Sequence, residues 1–220
     1  MTSPQRPARS ARASRLRQTL RLILLDQIVE GELQAGEPIK ESRLAAQLKV
    51  SRTPLREALL QLEREGFIRS DQRRGFSVER LSAREVREIY PMIWALEGLA
   101  VRSSAVCAHL LAPELTRINS GFAKARDPQQ ALALDTQWHE HLMSQSQNRR
   151  LLHTLSGLRL TIRRYETAYM ADTRLIPESV SQHNAIINGL REHKIEGAVK
   201  GIEDNWRFAM EVLVRKMGEE

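Results

Sequence analysis

The sequence predicts a mainly α-helical protein, with a short β-hairpin after the first helices and an antiparallel helical bundle after the hairpin. Three observations lead to this fold class. Apolar residues recur at helical spacing over most of the 220 residues. Two short apolar strands around a glycine-bearing turn are predicted within residues 67–78, and none after them. The surplus of basic residues lies before residue 81, so the chain has two parts of different character.

The distribution of charge indicates a polyanionic partner for the N-terminal part. The chain has 34 Lys and Arg against 27 Asp and Glu, a formal net charge of +7. Residues 1–80 hold 16 basic and 10 acidic side chains, whereas the remaining residues hold 18 and 17. Six arginines precede Asp26, and no acidic residue lies among them. Phosphate binding requires such a local excess of positive charge.

Residues 1–13 are predicted to be a disordered basic tail, because they are rich in Arg, Ser, Pro and Ala and offer almost nothing to bury. No apolar core follows the basic residues, as a secretory signal would require, and no apolar run approaches the roughly 20 residues that cross a bilayer. The single cysteine, Cys107, excludes an intramolecular disulfide framework. These features favour a cytoplasmic protein without a membrane partner.

A capped helix is predicted to begin after Ser51, whose hydroxyl can accept from the free amides of the first turn. Pro54 falls in that first turn, where the missing amide costs nothing. Arg52, Thr53 and Arg56 project from the first turn and a half, while the apolar residues take the opposite face. In a helix-turn-helix, this is the part of the recognition helix that meets base edges and phosphates.

The flanking residues complete the motif, which we assign to residues 14–80. A short helix is predicted from Glu41 to Leu48, a tight turn follows it, and Gly66 ends the recognition helix as its C′ residue. A hairpin then carries a basic tip, so that the whole is a winged helix-turn-helix that binds double-stranded DNA. The predicted DNA-binding residues are Arg43, Ser51, Arg52, Thr53, Arg56, Arg73, Arg74 and Gly75.

The whole module follows a recognisable order and spacing over about seventy residues. The pattern is carried by Leu20 to Ile28, Gly31, Gly36, Glu41, Leu44-Ala45, Val50 to Leu59, Leu62, Gly66 and Gly75. In this order it resembles the GntR family of bacterial transcription regulators. The resemblance implies a homodimer that places two recognition helices on the half-sites of a short palindromic operator.

Residues 81–220 are predicted to be entirely helical. Ser82 and Glu85 form a capping box at the start of a helix that extends towards residue 110, with Pro91 kinking or splitting it. Further helices are predicted to begin at Pro113 and at Asp127-Pro128. The remaining predicted helices are Leu151 to Ala171, Glu178 to Arg191 after a break at Thr173 to Pro177, and Ile195 to Met217.

Three segments of the helical part carry a second resemblance, which is looser than the first. They are Leu96-Glu97, then Asp135-Thr136-Gln137-Trp138-His139 followed by Asn148 and Leu151-Leu152, and finally His183-Asn184-Ala185-Ile186-Ile187. Together they resemble the FCD effector domain of the FadR-like branch of GntR regulators. That resemblance implies a divalent metal in the bundle core, bound by the Asp, its His and two later histidines.

The residues themselves support part of this metal site. Asp135 and His139 are four apart and share one helix face, and His183 can close on them from a distant helix. A carboxylate with imidazoles suits Zn, Ni or Mn. At the position where the fourth histidine is expected, this chain has Asn205. Its amide oxygen is a weaker and harder ligand than an imidazole. The site is therefore expected to bind metal more weakly, to favour a harder ion, or to bind the effector directly; a buried polar network without metal is the alternative.

The effector-binding residues depart from the family pattern as well. Many FCD domains have an arginine four residues before the glutamate of the Leu-Glu motif, where this chain has Ile93. A cation that binds an acidic effector must therefore come from another position. For each candidate arginine, a place on a solvated face or in a dimer interface is an equally good explanation. The candidate effector-binding residues are Arg102, Arg159, Arg163 and Tyr165, and Tyr165 also fits a core stripe.

The favoured function is a metabolite-responsive transcription regulator, a repressor released or retuned by a small effector such as a carboxylic acid, and not an enzyme. One alternative is a metal-dependent hydrolase that uses the Asp135, His139 and His183 cluster, although no further carboxylate is an evident general base. The other alternative is a non-specific architectural DNA-binding protein. The nearly neutral helical part, of about 140 residues, argues against it.

Overall fold

The computed structural model describes residues 7–29, 31–71 and 75–218, and for residues 7–11 it describes the backbone alone. The chain divides after Leu81 into two compact units, residues 1–81 and 82–220. This division falls one residue from the boundary expected from the sequence. The predicted fold class is confirmed, because the first unit is a winged helix-turn-helix and the second is a helical bundle.

The first unit consists of three helices and a two-stranded antiparallel sheet. The elements are α1 (Pro7–Val29), α2 (Glu41–Gln47), α3 (Arg52–Arg64), β1 (Ile68–Asp71) and β2 (Gly75–Val78). In the sheet, Ile68 lies opposite Val78 and Asp71 lies opposite Gly75. The buried face of α3 packs on α1 and α2. That face is formed by Leu55, Ala58, Leu59 and Leu62.

The termini of α3 follow the predicted chemistry with one difference. Gly66 has φ +79°, and the amide of Phe67 donates to the carbonyl of Leu62 at 3.0 Å, as expected beyond a helix C-terminus. Ser51 has the extended backbone of an N-cap, but its hydroxyl accepts no hydrogen bond from the first turn. This exposed hydroxyl therefore remains available to a partner of the helix.

The predicted disorder of residues 1–13 is wrong for residues 7–13, because α1 begins at Pro7. Residues 1–6 lie outside the described part of the chain. Two physical reasons explain the helix. Ala, Arg, Gln and Leu are strong helix formers, and they dominate residues 8–18 without a glycine. This stretch also continues a segment anchored by buried side chains, namely Leu20, Leu24, Leu25 and Ile28.

The second unit contains six α-helices and two short 3₁₀ helices in its described residues, 82–218, and no strand there. The α-helices are α4 (Ala83–Ser103), α5 (Ala112–Phe122), α6 (Pro128–Leu142), α7 (Arg149–Met170), α8 (Ile176–Arg191) and α9 (Ile195–Met217). The 3₁₀ helices are Ala108–Leu111 and Thr173–Leu175. α4 packs against α7 and α9, and α8 packs against α5 and α9.

Three helices begin after a capping side chain, and α7 and α8 begin at Arg149 and Ile176, two residues before their predicted starts. Ser82, Asp127 and Asn148 each accept a hydrogen bond from the backbone amide three residues later, at 3.4, 2.8 and 3.1 Å. Pro91 does not split α4, which runs through it and ends at Ser103 rather than near residue 110. A proline removes one backbone hydrogen bond, and the packing of the buried α4 face on two neighbouring helices maintains the helix around it.

Two glycines allow α9 to approach its neighbours closely. A Cβ on Gly98 of α4 would lie 2.9 Å from Val199 Cγ1, and a Cβ on Gly201 of α9 would lie 2.8 Å from Ile186 Cγ1. Both distances are shorter than side chains tolerate. The close approach brings the middle of α9 against the polar residues of the bundle core.

Within the described ranges, no helix by itself has the length and apolar composition to cross a membrane. The pair Ala83–Ser103 and Ala108–Phe122 satisfies those two criteria together, with a bend of 111° between its members.

Candidate DNA-binding surface and effector site

The exposed face of α3 carries the predicted recognition residues. Arg52, Thr53 and Arg56 are all exposed, and they border a surface groove with Ser42 and Glu57. Among the described residues, the side chain of Arg52 has no hydrogen bond or ion pair, so it is free to bind a phosphate or a base edge. This arrangement supplies the donors that a recognition helix needs.

Arg56 is held loosely at the surface. Its Nη1 lies 3.2 Å from Glu41 Oε1, and its guanidinium lies 5.6 Å from the centroid of the Phe76 ring. The side chain is 63% exposed, so the ion pair is worth little and a phosphate can displace it. Arg43 is exposed on α2, and Gly75 starts β2 with φ +74°. The predicted wing residues Arg73 and Arg74 lie outside the described residues.

In the helical unit, Asp135 and His139 of α6 meet His183 of α8 in the core. One ligand atom from each of the three lies within 4.8 Å of the other two. His139 Nε2 is 4.0 Å from Asp135 Oδ2, and His183 Nε2 is 3.6 Å from Asp135 Oδ1. All three residues are buried, and the Trp138 ring stacks on His183 at 3.7 Å between centroids. The predicted cluster is therefore one compact buried group.

The hydrogen bonds of Asn119 determine which nitrogen of His183 carries the proton. Asn119 Nδ2 donates to the Val180 carbonyl at 3.0 Å and to Asn184 Oδ1 at 2.9 Å. Asn119 Oδ1 must then accept from His183 Nδ1 at 3.1 Å. His183 Nε2 is left with a lone pair that has no hydrogen-bond partner and faces Asp135.

Glu97 of α4 binds Nδ1 of His139, as Asn119 binds Nδ1 of His183. Its Oε2 accepts from His139 Nδ1 at 3.0 Å and from Trp206 Nε1 at 2.8 Å, and its Oε1 accepts from Arg159 Nη1 at 3.4 Å. Burial raises the pKa of Glu97, but His139, Arg159 and Trp206 outweigh it and hold that pKa below the ordinary value. Glu97 is therefore a carboxylate that accepts from Nδ1 of His139, which leaves Nε2 on the side of Asp135.

The result is a close group of one carboxyl group and two ring nitrogens. Burial raises the pKa of Asp135, although His139 and Arg159 oppose the rise. Burial, and then the nearby His139, lower the pKa of His183 well below its ordinary value. The Nε2 atoms of two imidazoles and one carboxyl group thus converge, and Nε2 of His183 has no hydrogen-bond partner. A divalent metal fits this set, because each imidazole already has its second nitrogen held by a polar partner.

Asn205 of α9 lines the same cavity as Asp135 and His139. Its Nδ2 donates to Gln182 Oε1 at 2.9 Å. The amide oxygen is consequently the atom left for the cavity. An oxygen at this position shifts the preference of the site towards harder ions.

The cavity is small in this closed form. Its volume is about 20 Å³, enough for an ion or one water molecule but far below the roughly 300 Å³ of a typical metabolite pocket. Entry of an effector therefore requires the walls to move. Besides the residues above, the walls are formed by Tyr90, Glu166, Tyr169, Met170, Ser179, Trp206 and Ala209.

The predicted effector-binding residues lie in different places. Arg159 is buried beside the cavity, 3.4 Å from Glu97 and 3.7 Å from Glu166. Arg102 is at the surface, where it pairs with Glu196 at 2.6 Å, and the side chain of Arg163 is exposed. None of the four predicted residues lines the cavity itself, although Arg159 lies against the wall residue Glu166.

Tyr165 instead contacts the start of α4. The Ser82 amide donates to its hydroxyl at 3.1 Å, and that hydroxyl donates to the Glu85 carboxylate. Arg164 Nη2 also donates to Glu85, at 3.1 Å. Tyr169, one turn later on the same face of α7, takes the position beside the cavity.

The sequence reasoning missed Glu166, which lines the cavity and is 94% buried, with 6% of its surface exposed. Burial raises the pKa of Glu166 to about 7. The available signal was its spacing of seven from Arg159, which puts both on one face of α7. A charged pair on the buried face of a helix indicates a polar site rather than a plain core.

Comparison with known families agrees with this two-unit organisation. Residues 16–78 match the family described as bacterial regulatory proteins, gntR family, and residues 88–206 match the FCD domain. The FCD match alone covers more than half of the chain. The chain therefore belongs to the GntR family of bacterial regulatory proteins, in the branch whose second domain is an FCD domain.

Individual relatives are similar over part of their length. The chain is 35% identical to the HTH-type transcriptional regulator YdhC of Bacillus subtilis (strain 168) over 58% of this chain and 59% of that one. It is 37% identical to the Nta operon transcriptional regulator of Aminobacter aminovorans over 61% of this chain and 66% of that one. The solved structure of E. coli McbR/YncC is 19% identical, covers 92% of this chain and 99% of its own, and superimposes with a TM-score of 0.73, which shows a shared fold.

Proposed function

We propose that the protein is a metabolite-responsive transcription regulator, acting as a repressor at a short palindromic operator. The observation that carries the proposal is the buried cluster of Asp135, His139 and His183, with His183 Nε2 unpartnered, beside a cavity in a helical domain that follows a winged helix-turn-helix. The exposed Arg52 and Arg56 suit recognition of DNA in the major groove.

The site is proposed to bind a divalent metal, Zn, Ni or Mn. Asp135, His139 and His183 would be its ligands, with the Asn205 oxygen as a weaker fourth. The metal would supply a Lewis-acidic position to which an oxygen of the effector can bind. Glu97 keeps the His139 imidazole in the required tautomer and orientation, as Asn119 does for His183.

The effector is proposed to be a small molecule such as a carboxylic acid. Ile93 is fully buried, and Arg159 is the arginine beside the cavity. Its Nη2 is buried without a hydrogen bond, so it can donate to an effector carboxylate once the cavity opens. Because the closed cavity has only about 20 Å³, binding must displace α7 or α9, and that displacement would alter the DNA-binding units.

A homodimer through the helical unit is part of the proposal, since a palindromic operator needs two recognition helices. α4 and the residues after it present apolar side chains to solvent, which is typical of an interface. These side chains are Met92, Leu99, Val106 and Leu110, exposed by 49%, 47%, 92% and 65%.

One experiment tests the function directly. DNA fragments selected by the purified chain give the operator, and adding candidate acids with metal should release it. Arg52→Ala or Arg56→Ala should weaken operator binding by about 1–3 kcal/mol. His139→Ala should keep operator binding without effector and lose the response to effector. Failure to select any sequence, or turnover of a substrate by the metal-loaded chain, would reject the proposal.

A further inference from the structure

The N-terminal half of α1 is a basic helical segment that the recognition helix does not account for. Of the six arginines before Asp26, two are tied to α3: Arg17 lies 3.7 Å from Glu57, and Arg21 lies 2.7 Å from Glu65. Arg12 and Arg15 are exposed and have no such partner among the residues whose side chains are described. These two positive charges therefore stand uncompensated on one helical segment.

The two ion pairs define the direction in which this segment leaves the domain. Glu65 is the C-cap of α3, whereas Glu57 lies in its second turn. Moving from Arg21 to Arg17 along α1 thus moves from the C-terminal end of α3 towards its N-terminal end. Residues before Arg17 continue in that direction, towards the end of α3 that carries Arg52.

The distances fit a second contact with the same DNA. An α-helix rises about 1.5 Å per residue, so Arg12 lies roughly 7–8 Å beyond Arg17 along α1. Arg12 and Arg15 are three residues apart and share one face of α1, so both can meet the same phosphate backbone. No acidic residue occurs in the first 25 positions to oppose such binding.

We propose that Arg12 and Arg15, on the N-terminal half of α1, form a second DNA-binding surface that contacts the phosphate backbone beside the recognition helix. The proposal rests on the DNA-binding function proposed above. Because phosphates carry no sequence information, this surface adds affinity but no specificity. Arg17 and Arg21 act differently, since their ion pairs hold α1 on α3.

The test is the salt dependence of DNA binding by the full chain, measured by fluorescence anisotropy on the selected operator and on a random duplex of equal length. Arg12→Ala/Arg15→Ala keeps good helix formers in α1 and should lower the slope of log affinity against log salt by about two per protomer. The loss of affinity should be the same on both duplexes. Arg12→Lys/Arg15→Lys should keep the parent slope.

A matched control removes the same charge elsewhere. Arg149→Ala/Arg150→Ala changes two exposed arginines at the start of α7 and should leave the slope unchanged. The proposal is overturned if the α1 alanine variant keeps the parent slope, if the control lowers the slope equally, or if affinity falls on the operator alone. Absence of any operator preference would reject the proposed regulator, whereas the slope on the random duplex would still decide the role of α1.

Discussion

At the scale of single residues, Glu97 organises the polar centre of the helical unit. It is fully buried, and it accepts hydrogen bonds from three helices through His139, Arg159 and Trp206. Its carboxylate accepts from Nδ1 of His139, which leaves Nε2 on the side of Asp135. An inward-facing ligand set that is oriented before metal arrives is the arrangement that metal sites need.

The amide of Asn205 should be the weak member of the ligand set. Asn205→His replaces an amide oxygen with an imidazole nitrogen, so the affinity for Zn or Ni should rise by about tenfold or more. Isothermal titration of the metal-free chain measures this change. Asn188→His adds a histidine at an exposed position of α8 and should leave the affinity unchanged. An equal gain in both variants would remove Asn205 from the site.

Glu166 should make the metal-free protein less stable as the pH rises. Burial raises the pKa of Glu166 from 4.5 to about 7, so the folded state keeps a proton that the unfolded chain has lost. Stability is therefore fully present below pH 4.5 and falls as the pH rises towards about 7. Glu166→Gln cannot titrate, and its advantage over the parent should grow by up to about 3 kcal/mol across this window.

Urea denaturation with chelator, at a series of pH values, measures that difference. The raised pKa of Asp135 contributes with the same sign in both proteins, and so largely cancels in the comparison. If the stabilities of the parent and of Glu166→Gln run parallel with pH, Glu166 does not titrate in this range.

At the scale of elements, α7 connects the cavity with the beginning of the helical unit. Glu166 and Tyr169 line the cavity, while Arg164 and Tyr165 contact the first turn of α4. An effector that enlarges the cavity by moving α7 would also disturb these contacts, directly after the segment that joins the two units. α7 is therefore the element through which we expect ligand binding to be transmitted.

Removing one hydroxyl should test that connection. Tyr165→Phe keeps the buried ring and deprives the Ser82 amide and the Glu85 carboxylate of a partner, so it should lower the free energy of unfolding by about 1–3 kcal/mol. Tyr169→Phe loses only the hydrogen bond with Ser179, at 3.0 Å, and should cost less. Chemical denaturation compares the two, and equal costs would contradict the assignment.

At the scale of the whole molecule, the assembly should depend on the apolar face of α4. Leu99 is 47% exposed, so Leu99→Asp leaves the core of the protomer intact and places a charge in the proposed interface. Analytical ultracentrifugation should find a dimer for the parent and a monomer for this variant. Gln137→Asp adds the same charge at an exposed position of α6 and should remain dimeric. A dimeric Leu99→Asp variant would place the interface elsewhere.

Local signals predicted much of the fold because they act over a few residues. The caps at Ser82, Asp127 and Asn148, the glycine after α3 and the apolar spacing of each helix all depend on near neighbours in sequence. The start of α1 was mispredicted because composition alone does not reveal that a polar stretch continues a packed helix. Of the two outcomes expected at Pro91, a kink or a split, the split was wrong because tertiary packing on both sides outweighs one lost hydrogen bond.

The sequence by itself determined the two-unit organisation, the recognition helix and the shared helix face of Asp135 and His139, while the family resemblance brought His183 towards them. Periodicity, caps and motif spacing depend on residues that are close together in the sequence. Only the tertiary structure decided that Glu97 and Asn119 orient the imidazoles, that Asn205 donates to Gln182, and that Tyr165 faces α4 instead of the cavity. These outcomes depend on contacts between residues more than 20 positions apart, where helix phase and crossing geometry select the partner.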